Sequence, residues 1–478
     1  MSARHSSCGF YQQAGQTNAA LFISRGIIFA ARCAWVSIIT IHYAESQINM
    51  HFPPGRVPLG GSNRRRLDES PEIAGLTDVS RLARHAEQIA DPSDAAGPTD
   101  ATTAVAPEAT TVLIPLSRPH ILESDIDLVN EVIRSGQLVQ GTYVRKLENQ
   151  VNEQVGVAHS KAVSSGTAAL HLALIAAGVQ PGDEVIVPAF SFVATANAVE
   201  LVGATPVFVD IDSRTFNLDA AQIESAITLR TRAIMPVHEF GLMCDIEAIL
   251  DIAATYKLAV IEDAACAIGA TSNGQQAGSF GDIACFSLHP RKLVTSGEGG
   301  LVVTNSAEAA MRVDRLRNHG IEDVNGEKVF AEVGYNYRLS DFQAALVYSQ
   351  VQRLSDNLDR RTQLAAAYHT MIENPLVEKP VVPDGRTHSW QTYHVLLDAR
   401  VDRNDLIDYL RSFGIQSGLG AQCIPDQQFY RDKYSLDAKR LYPRAMRAYQ
   451  QGLALPMAET MTYEQAAFVA ERINDYRI

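Results

Sequence analysis

The residues on either side of Lys292 are not those of a typical solvated surface lysine. It lies between an apolar, strand-like run, IACFSL, and a glycine-rich turn, SGEGG. A lysine held near a cation there would have a lowered pKa, as a Schiff-base amine requires. Ser287, earlier in the same segment, is close enough in sequence to meet a phosphate at the same place. For Lys292 taken alone, a surface lysine beside a structural turn is the alternative.

Asp263 directly follows the apolar run LAVIE. A carboxylate at the buried end of a strand is costly unless it pairs with a cation or accepts hydrogen bonds. A pyridinium nitrogen is such a cation, and an ionised aspartate beside it keeps the ring protonated as an electron sink. An N-cap for a helix beginning at Ala264 is the alternative.

A third segment, SSGTAAL at Ser164–Leu170, opens a predicted helix that runs to Ala177. Small residues and a glycine at a helix start leave backbone N–H groups that a phosphate can approach. An ordinary capped helix is the alternative. The three features occur in order within one predicted domain, and a single cofactor with a phosphate and a pyridine ring would use all of them.

The elements that position these residues follow an alternating pattern. Strands buried on both faces and separated by helices predict a mostly parallel sheet in an α/β domain. Ligands of such a sheet bind beyond the carboxyl ends of its strands, where Asp263 lies. The predicted strands are Glu184–Pro188, Pro206–Asp210, Ala233–Val237 and Leu258–Glu262, and the predicted helices include Ser124–Ser135, Asp219–Ile227 and Asp245–Tyr256.

Composition divides the chain into three parts. Residues 1–111 are an extension and linker that we expect to be disordered and dispensable, because their Ala, Thr, Pro and Asp-rich end has too little apolar surface to fold. Residues 112–358 form the large α/β domain, which ends in a long helix from Ser340. Residues 359–478 form a smaller C-terminal α+β domain, with a strand at Tyr393–Leu397 and a final helix at Tyr463–Arg472.

The extension contains an apolar stretch, Leu21–Tyr43, that Arg25 and Arg32 interrupt. An arginine at the centre of a spanning helix costs roughly 2.5–3.5 kcal/mol on insertion scales. A poor membrane anchor or a targeting segment is the alternative. An unstructured extension, or sequence upstream of a start at Met50, is favoured, so no membrane association is expected.

Bulk composition excludes several classes of partner. The formal net charge of −13 over 478 residues argues against a nucleic-acid backbone, which requires clustered lysine and arginine. The six cysteines include no C-x-x-C pair and the thirteen histidines no H-E-x-x-H group. We therefore expect neither a disulfide framework nor a metal site, and a reducing cytoplasm as the location.

From Ile114 to the C-terminus, the chain resembles the DegT/DnrJ/StrS family of sugar aminotransferases. This resemblance implies a pyridoxal-phosphate-dependent transferase of fold type I, the aspartate-aminotransferase fold. It covers roughly three quarters of the chain, and its lysine and GYNYR segments are quite specific. The matching segments are IPLSRP (114–119), SGQLVQG (135–141), SSGTAALHLAL (164–174), VPAFSFVATANAV (187–199), EDAACAIGA (262–270), SLHPRKLVTSGEGG (287–300), RNHGI (317–321) and GYNYRLSDFQAAL (334–346).

The resemblance assigns roles around pyridoxal 5'-phosphate. Lys292 would hold the cofactor as a Schiff base and move the proton between substrate and cofactor. Asp263 would pair with the ring nitrogen, and Phe192 would stack on the ring, a core phenylalanine being the alternative. Cys266 stands near the ring where members commonly have Gln or His. The phosphate would be held by Gly166, Thr167 and Ser287.

The same resemblance implies a homodimer with shared active sites. Asn336 would reach the phosphate of the other subunit, with Arg338 as the competitor for that role. Substrate contacts transfer less well, because the histidine of a V-H-Y-like stretch in many relatives is missing from GLGAQCIP at Gly418–Pro425. Candidate substrate residues are His289, Glu298 and His319, although either histidine could be structural.

The implied activity is transfer of an amino group from an amino acid, such as glutamate, to a keto sugar that is nucleotide-linked. An aminocyclitol aminotransferase acting on a keto-inositol shares the motifs and is the first alternative. A pyridoxal-phosphate-dependent sugar dehydratase is disfavoured, because those enzymes replace the lysine by histidine. A non-catalytic regulatory relative is disfavoured by the intact pair of Asp263 and Lys292.

Overall fold

The structure, a computed structural model, describes residues 113–478. The predictions for the extension and for its apolar stretch lie outside these residues. Within residues 113–478, no helix is both long and apolar enough to cross a membrane.

A central sheet of seven strands forms the larger part of the fold. Its spatial order is β1-β10-β9-β6-β5-β2-β4, with β1 His159–Val163, β2 Glu184–Pro188, β4 Thr205–Val209, β5 Thr231–Ile234, β6 Ala259–Asp263, β9 Ile283–Ser287 and β10 Gly300–Thr304. The five strands from β9 to β4 are mutually parallel, and β10 is antiparallel to both of its neighbours. The predicted mostly parallel sheet is confirmed.

The remaining strands form small sheets. They are β3 Phe190–Ser191, β7 Thr271–Ser272, β8 Gln275–Gln276, β11 Ile321–Val324, β12 Glu327–Phe330, β13 Val377–Glu378, β14 Tyr393–Leu397, β15 Gln422–Cys423 and β16 Gly452–Leu455. Strands β13, β14 and β16 make one antiparallel sheet near the C-terminus, and β11 pairs with β12 as a hairpin.

Helices cover the sheet and build the C-terminal part. They are α1 Glu123–Ser135, α2 Thr142–Val155, α3 Gly166–Ala176, α4 Ala194–Leu201, α5 Ile223–Ala226, α6 Ile246–Tyr256, α7 Ala307–Leu316, α8 Asp341–Gln352, α9 Leu354–Met371, α10 Arg403–Ser412, α11 Gln428–Tyr434, α12 Ala438–Leu441, α13 Pro443–Gln451 and α14 Tyr463–Asp475. Three-residue 3₁₀ turns occur at Ala220–Gln222, Glu239–Gly241 and Ile424–Asp426.

Most predicted elements are confirmed within a few residues, and two differ. The helix predicted over Asp219–Ile227 is a 3₁₀ turn followed by the single turn of α5. The long helix predicted from Ser340 is two helices, because Arg353 leaves the helical conformation between α8 and α9. Its apolar pattern continues across the break, so periodicity could not locate it.

Apolar side chains form three buried clusters. Two of them contain residues of the central sheet, such as Val187 and Ile234. The third joins α9 and β14 to α10, β16 and α14, and it includes Ile114 from the start of the described chain. A separate cluster there agrees with the smaller C-terminal domain, although the boundary between residues 358 and 359 stays a prediction.

A buried ion pair ties α9 to the C-terminal part. Arg361 is 1% exposed, and its Nε lies 2.6 Å from Oε1 of Glu459, whose side chain is 5% exposed. The guanidinium also donates to the carbonyl oxygens of Trp390 at 2.8 Å and Gln391 at 3.2 Å. Removing one partner of such a pair leaves an uncompensated buried charge.

Replacing Arg361 by methionine should therefore lower the free energy of unfolding by about 3–5 kcal/mol. Arg411→Met is the matched control, because Arg411 pairs with Asp408 on the surface with both side chains 68% exposed. The control should change stability by less than about 1 kcal/mol. Urea denaturation of both variants measures the difference, and equal effects would contradict the role of the buried pair.

Candidate active site

A cavity of about 470 Å³ lies beyond the carboxyl ends of the parallel strands. It forms where β5, β6 and β9 end and α3 begins, as expected for ligand sites of parallel sheets. Nine of the twelve residues singled out in the sequence line it. They are Gly166, Thr167, Phe192, Asp263, Cys266, Ser287, His289, Lys292 and Glu298.

Asp263 is the last residue of β6 and is 4% exposed. Its carboxylate accepts a hydrogen bond from Thr195 Oγ1 at 2.8 Å and another from the backbone N–H of Ala265 at 3.2 Å. Burial nevertheless raises the pKa of Asp263, and these hydrogen bonds only partly offset it. No helix begins at Ala264, so the N-cap alternative is wrong. Lys292 and His238 also favour the carboxylate, without cancelling the effect of burial. A protonated ring nitrogen beside Asp263 would favour the ionised form further.

Lys292 is partly buried in the cavity wall, and its Nζ lies 2.9 Å from Cys266 Sγ. Burial disfavours the ammonium, but Cys266, Asp263 and Glu239 outweigh that cost and raise the pKa of Lys292 above its ordinary value. The lowered pKa expected from the sequence applies to a lysine held near the cofactor cation, and it stays a prediction. A lowered value would require a positive charge beside the amine, which a protonated cofactor ring would supply.

The start of α3 forms a second wall of the cavity. Ser165 caps the helix by accepting from the N–H of Ala168 at 3.0 Å, which leaves the N–H groups of Gly166 and Thr167 ahead of any intrahelical acceptor. A Cβ on Gly166 would lie 2.9 Å from Ser287 Cβ, so only glycine allows this close approach. Unpaired N–H groups beside a serine hydroxyl suit a phosphate.

Phe192 projects from the segment before α4 and is 63% exposed, although it lines the cavity. The core-phenylalanine alternative is therefore wrong. A large apolar ring left uncovered in a cavity offers a face for an aromatic ligand to stack on. Asp263 and Lys292 line the same cavity. With the ligand stacked on Phe192, the carboxylate would contact the edge of its ring and the amine would contact a ring substituent.

Three predicted residues lie outside this cavity. His319 is exposed, with a left-handed backbone at φ 60°. Asn336 is exposed and forms a backbone bridge with Asn318, and the Arg338 side chain donates to the Asn318 side chain. None of the three lines the cavity of its own chain.

Sequence reasoning missed three polar residues of the site. Thr195 and Ser191 lie in the chain that leads from β3 into α4, and their hydroxyl groups are 3.0 Å apart. Glu239 follows β5 and lines the cavity with its carboxyl group almost fully buried. Its position just after a strand was a usable signal, since ligand-binding residues follow strand ends in such sheets.

The described residues fit pyridoxal phosphate at each of its parts. A lysine amine, a buried carboxylate in need of a cation, an uncovered aromatic face and open N–H groups at a helix start converge on one cavity. This fold and site define the class of pyridoxal-phosphate-dependent aminotransferases.

Comparison with known proteins gives the family. A model of the DegT/DnrJ/EryC1/StrS aminotransferase family matches residues 119–474, and the chain belongs to this family. A GDP-perosamine synthase of Caulobacter vibrioides is 41% identical over 64% of this chain and 83% of its own length. The GDP-perosamine synthase of Escherichia coli O157:H7 is 35% identical over 76% of this chain and 98% of its own length.

Solved structures agree with this assignment. A putative sugar aminotransferase from Streptococcus pneumoniae, Spr1654 in its PMP-form, superimposes with a TM-score of 0.73 at 27% identity. The match covers 76% of this chain and 97% of the other. The same protein is also known in a PLP-form. The cofactor of the present enzyme is accordingly pyridoxal 5'-phosphate.

Proposed function

We propose that this enzyme transfers an amino group from an amino acid, glutamate being the favoured donor, to a nucleotide-linked keto sugar. The observation that carries the proposal is the convergence of Lys292 and Asp263 on one cavity of about 470 Å³. Two relatives, matched over most of their own length, are named GDP-perosamine synthase. These names are the reason for proposing a nucleotide-linked sugar as substrate.

Residue roles follow from the chemistry of the cavity. When bound, pyridoxal phosphate supplies an electron-withdrawing ring and a carbon at which amino groups are exchanged. Lys292 would hold the cofactor through Nζ, and its free amine would move a proton to and from the substrate carbon. Asp263 stabilises the proton on the ring nitrogen, because a buried carboxylate favours a neighbouring cation.

The remaining residues bind and orient. Phe192 would stack on the cofactor ring, and the groups at the start of α3 would hold the phosphate together with Ser287. While the lysine is not bound to the cofactor, Cys266 Sγ accepts a hydrogen bond from the Lys292 ammonium at 2.9 Å. His289 and Glu298 line the same cavity and are placed to contact the substrate.

We further infer a homodimer in the cytoplasm. Asn336 lies outside the cavity of its own chain and is exposed, as a residue that serves a neighbouring subunit would be. The four cysteines of the described chain, Cys244, Cys266, Cys285 and Cys423, are all unpaired, which suits a reducing compartment.

An aminocyclitol aminotransferase remains the alternative that shares the motifs, and the names of the relatives do not favour it. Mass spectrometry of products, after incubation with glutamate and a panel of nucleotide-linked keto sugars and keto-inositols, tests the proposal. We expect a mass consistent with amination of a nucleotide sugar. Amination of the keto-inositols alone, or of nothing, would contradict it.

Lys292→Ala should abolish covalent cofactor attachment and slow turnover by several orders of magnitude, because the covalent link and the proton carrier are both lost. Cofactor absorbance and single-turnover rates measure this. Lys439→Ala, an exposed lysine of α12, is the control and should behave as wild type. Borohydride reduction and peptide mapping of the wild type should place the reduced cofactor on Lys292. Its recovery on another lysine would contradict the assignment.

Replacing Asn336 and Arg338 together by alanine should weaken cofactor retention while Lys292 is untouched, since Asn336, or Arg338 as its competitor, would serve the phosphate of the other subunit. Cofactor occupancy, read by absorbance over a range of protein concentrations, measures it. Arg440→Ala, with its side chain 74% exposed, is the control. A stable wild-type monomer with full occupancy would rule out the shared site.

A further inference from the structure

Glu239 has no assigned role, although it is an acidic residue of the active-site cavity. It is 5% exposed and lines the cavity together with Lys292 and Asp263. Its Oε2 is shielded from solvent and has no hydrogen-bond partner among the described residues. Leaving a buried carboxyl oxygen unpaired costs stability, which indicates that the group is kept for a purpose other than folding.

The backbone around Glu239 is fixed from several sides. The N–H of Glu239 donates to Asn217 Oδ1 at 2.8 Å, and the N–H of the preceding residue, His238, donates to the carbonyl oxygen of Asp263 at 3.1 Å. The next residue, Phe240, has a left-handed backbone at φ 57°, which is strained for a bulky side chain. The Phe240 ring stacks on His394 with centroids 4.1 Å apart. Strain of this kind persists where the surroundings hold a functional geometry.

The charge state of Glu239 follows from its neighbours. Burial and the nearby Asp263 carboxylate raise the pKa of Glu239 to about 8, against the opposing influence of Lys292 and Ser191. Below that pH the group is a neutral carboxylic acid. A buried acid whose pKa lies near the working pH is suited to give and recover a proton.

We propose that Glu239 is a further catalytic residue, which protonates the carbonyl oxygen of the keto substrate as that oxygen leaves. The inference rests on the proposed function, because it requires a keto substrate in the cavity. Lys292 is the other candidate for this step, but its ammonium is already held 2.9 Å from Cys266 Sγ. The Glu239 Oε2 has no such partner to give up.

The proton transfers balance. As the amino nitrogen replaces the oxygen, a C–N bond forms and the C–O bond breaks, and the oxygen leaves as water. The oxygen gains two protons in total and the nitrogen loses two. Glu239 gives a proton to the oxygen and recovers one from the nitrogen, first as the C–N bond forms and again as water leaves. Both protons are thereby transferred, Glu239 ends in its starting form, and no external acid is consumed.

The test compares Glu239→Gln with Glu239→Asp. Glutamine keeps the size and hydrogen-bonding ability of the side chain but cannot give up a proton, so kcat with the keto substrate should fall about 100-fold while KM stays within about twofold. The aspartate variant retains an acid and should recover part of the rate. Glu184→Gln is the matched control, because Glu184 is also buried but pairs with Arg230 outside the cavity.

Two further readouts separate a proton carrier from a structural residue. Wild-type kcat should fall as pH rises through about 8, because the neutral acid is lost, and Glu239→Gln should lack this limb. Cofactor absorbance and borohydride labelling of Lys292 should match wild type. If Glu239→Gln does not retain cofactor, the Glu239→Asp variant is the test. The pH at which its kcat falls must differ from that of the wild type if the carboxyl group carries the proton.

Several results would overturn the inference. For Glu239→Gln they are an unchanged kcat, an effect on KM alone, or a kcat that still falls as pH rises as it does in the wild type. For Glu239→Asp the contradicting result is a fall of kcat at the same pH as in the wild type. A wild-type enzyme that aminates no keto substrate would instead overturn the proposed function. An active wild type with an unaffected Glu239→Gln variant would overturn this inference only.

Discussion

A carboxylate buried at the end of a parallel strand is the constraint on which the site depends. Asp263 is 4% exposed, and among residues 113–478 its close hydrogen-bond donors are a hydroxyl and a backbone N–H. Burial raises its pKa, and the hydrogen bonds and the charges of Lys292 and His238 only partly offset this, so a cation placed beside it stabilises its ionised form. A pyridinium ring meets that requirement, so cofactor binding and the cost of burying Asp263 are coupled.

The surroundings of β6 keep Asp263 in place. Glu262, one residue earlier, is fully buried and accepts from His238 at 2.8 Å and from the N–H groups of Phe280 and Gly281 at 2.9 and 2.7 Å. This arrangement ties the end of β5 and the chain before β9 to β6. Rigid support of this kind holds functional groups in position more precisely than a free loop would.

The cavity also concentrates acidic groups around one amine. Cys266, Asp263 and Glu239 all favour the ammonium form of Lys292 and raise its pKa. A cationic cofactor ring changes this balance, because it neutralises Asp263 and adds positive charge near the lysine. The side chain nearest to the amine in this set is a thiol, with Cys266 Sγ 2.9 Å from Lys292 Nζ.

The sequence by itself determined the alternation of buried strands and helices, and with it the position of Asp263 at a strand end and of Gly166 at a helix start. Such features depend on local patterns, since periodicity and turn residues act over a few positions. The tertiary structure decided which of these residues share a cavity. It brought Glu239 beside Lys292, exposed Phe192 and left His319 outside, because β5, β6 and β9 are neighbours in the sheet only after folding. The pKa values of the site residues could likewise not be predicted from the sequence. The pKa of Lys292 depends on residues far apart in the chain, and electrostatic interactions depend on distances that only packing sets.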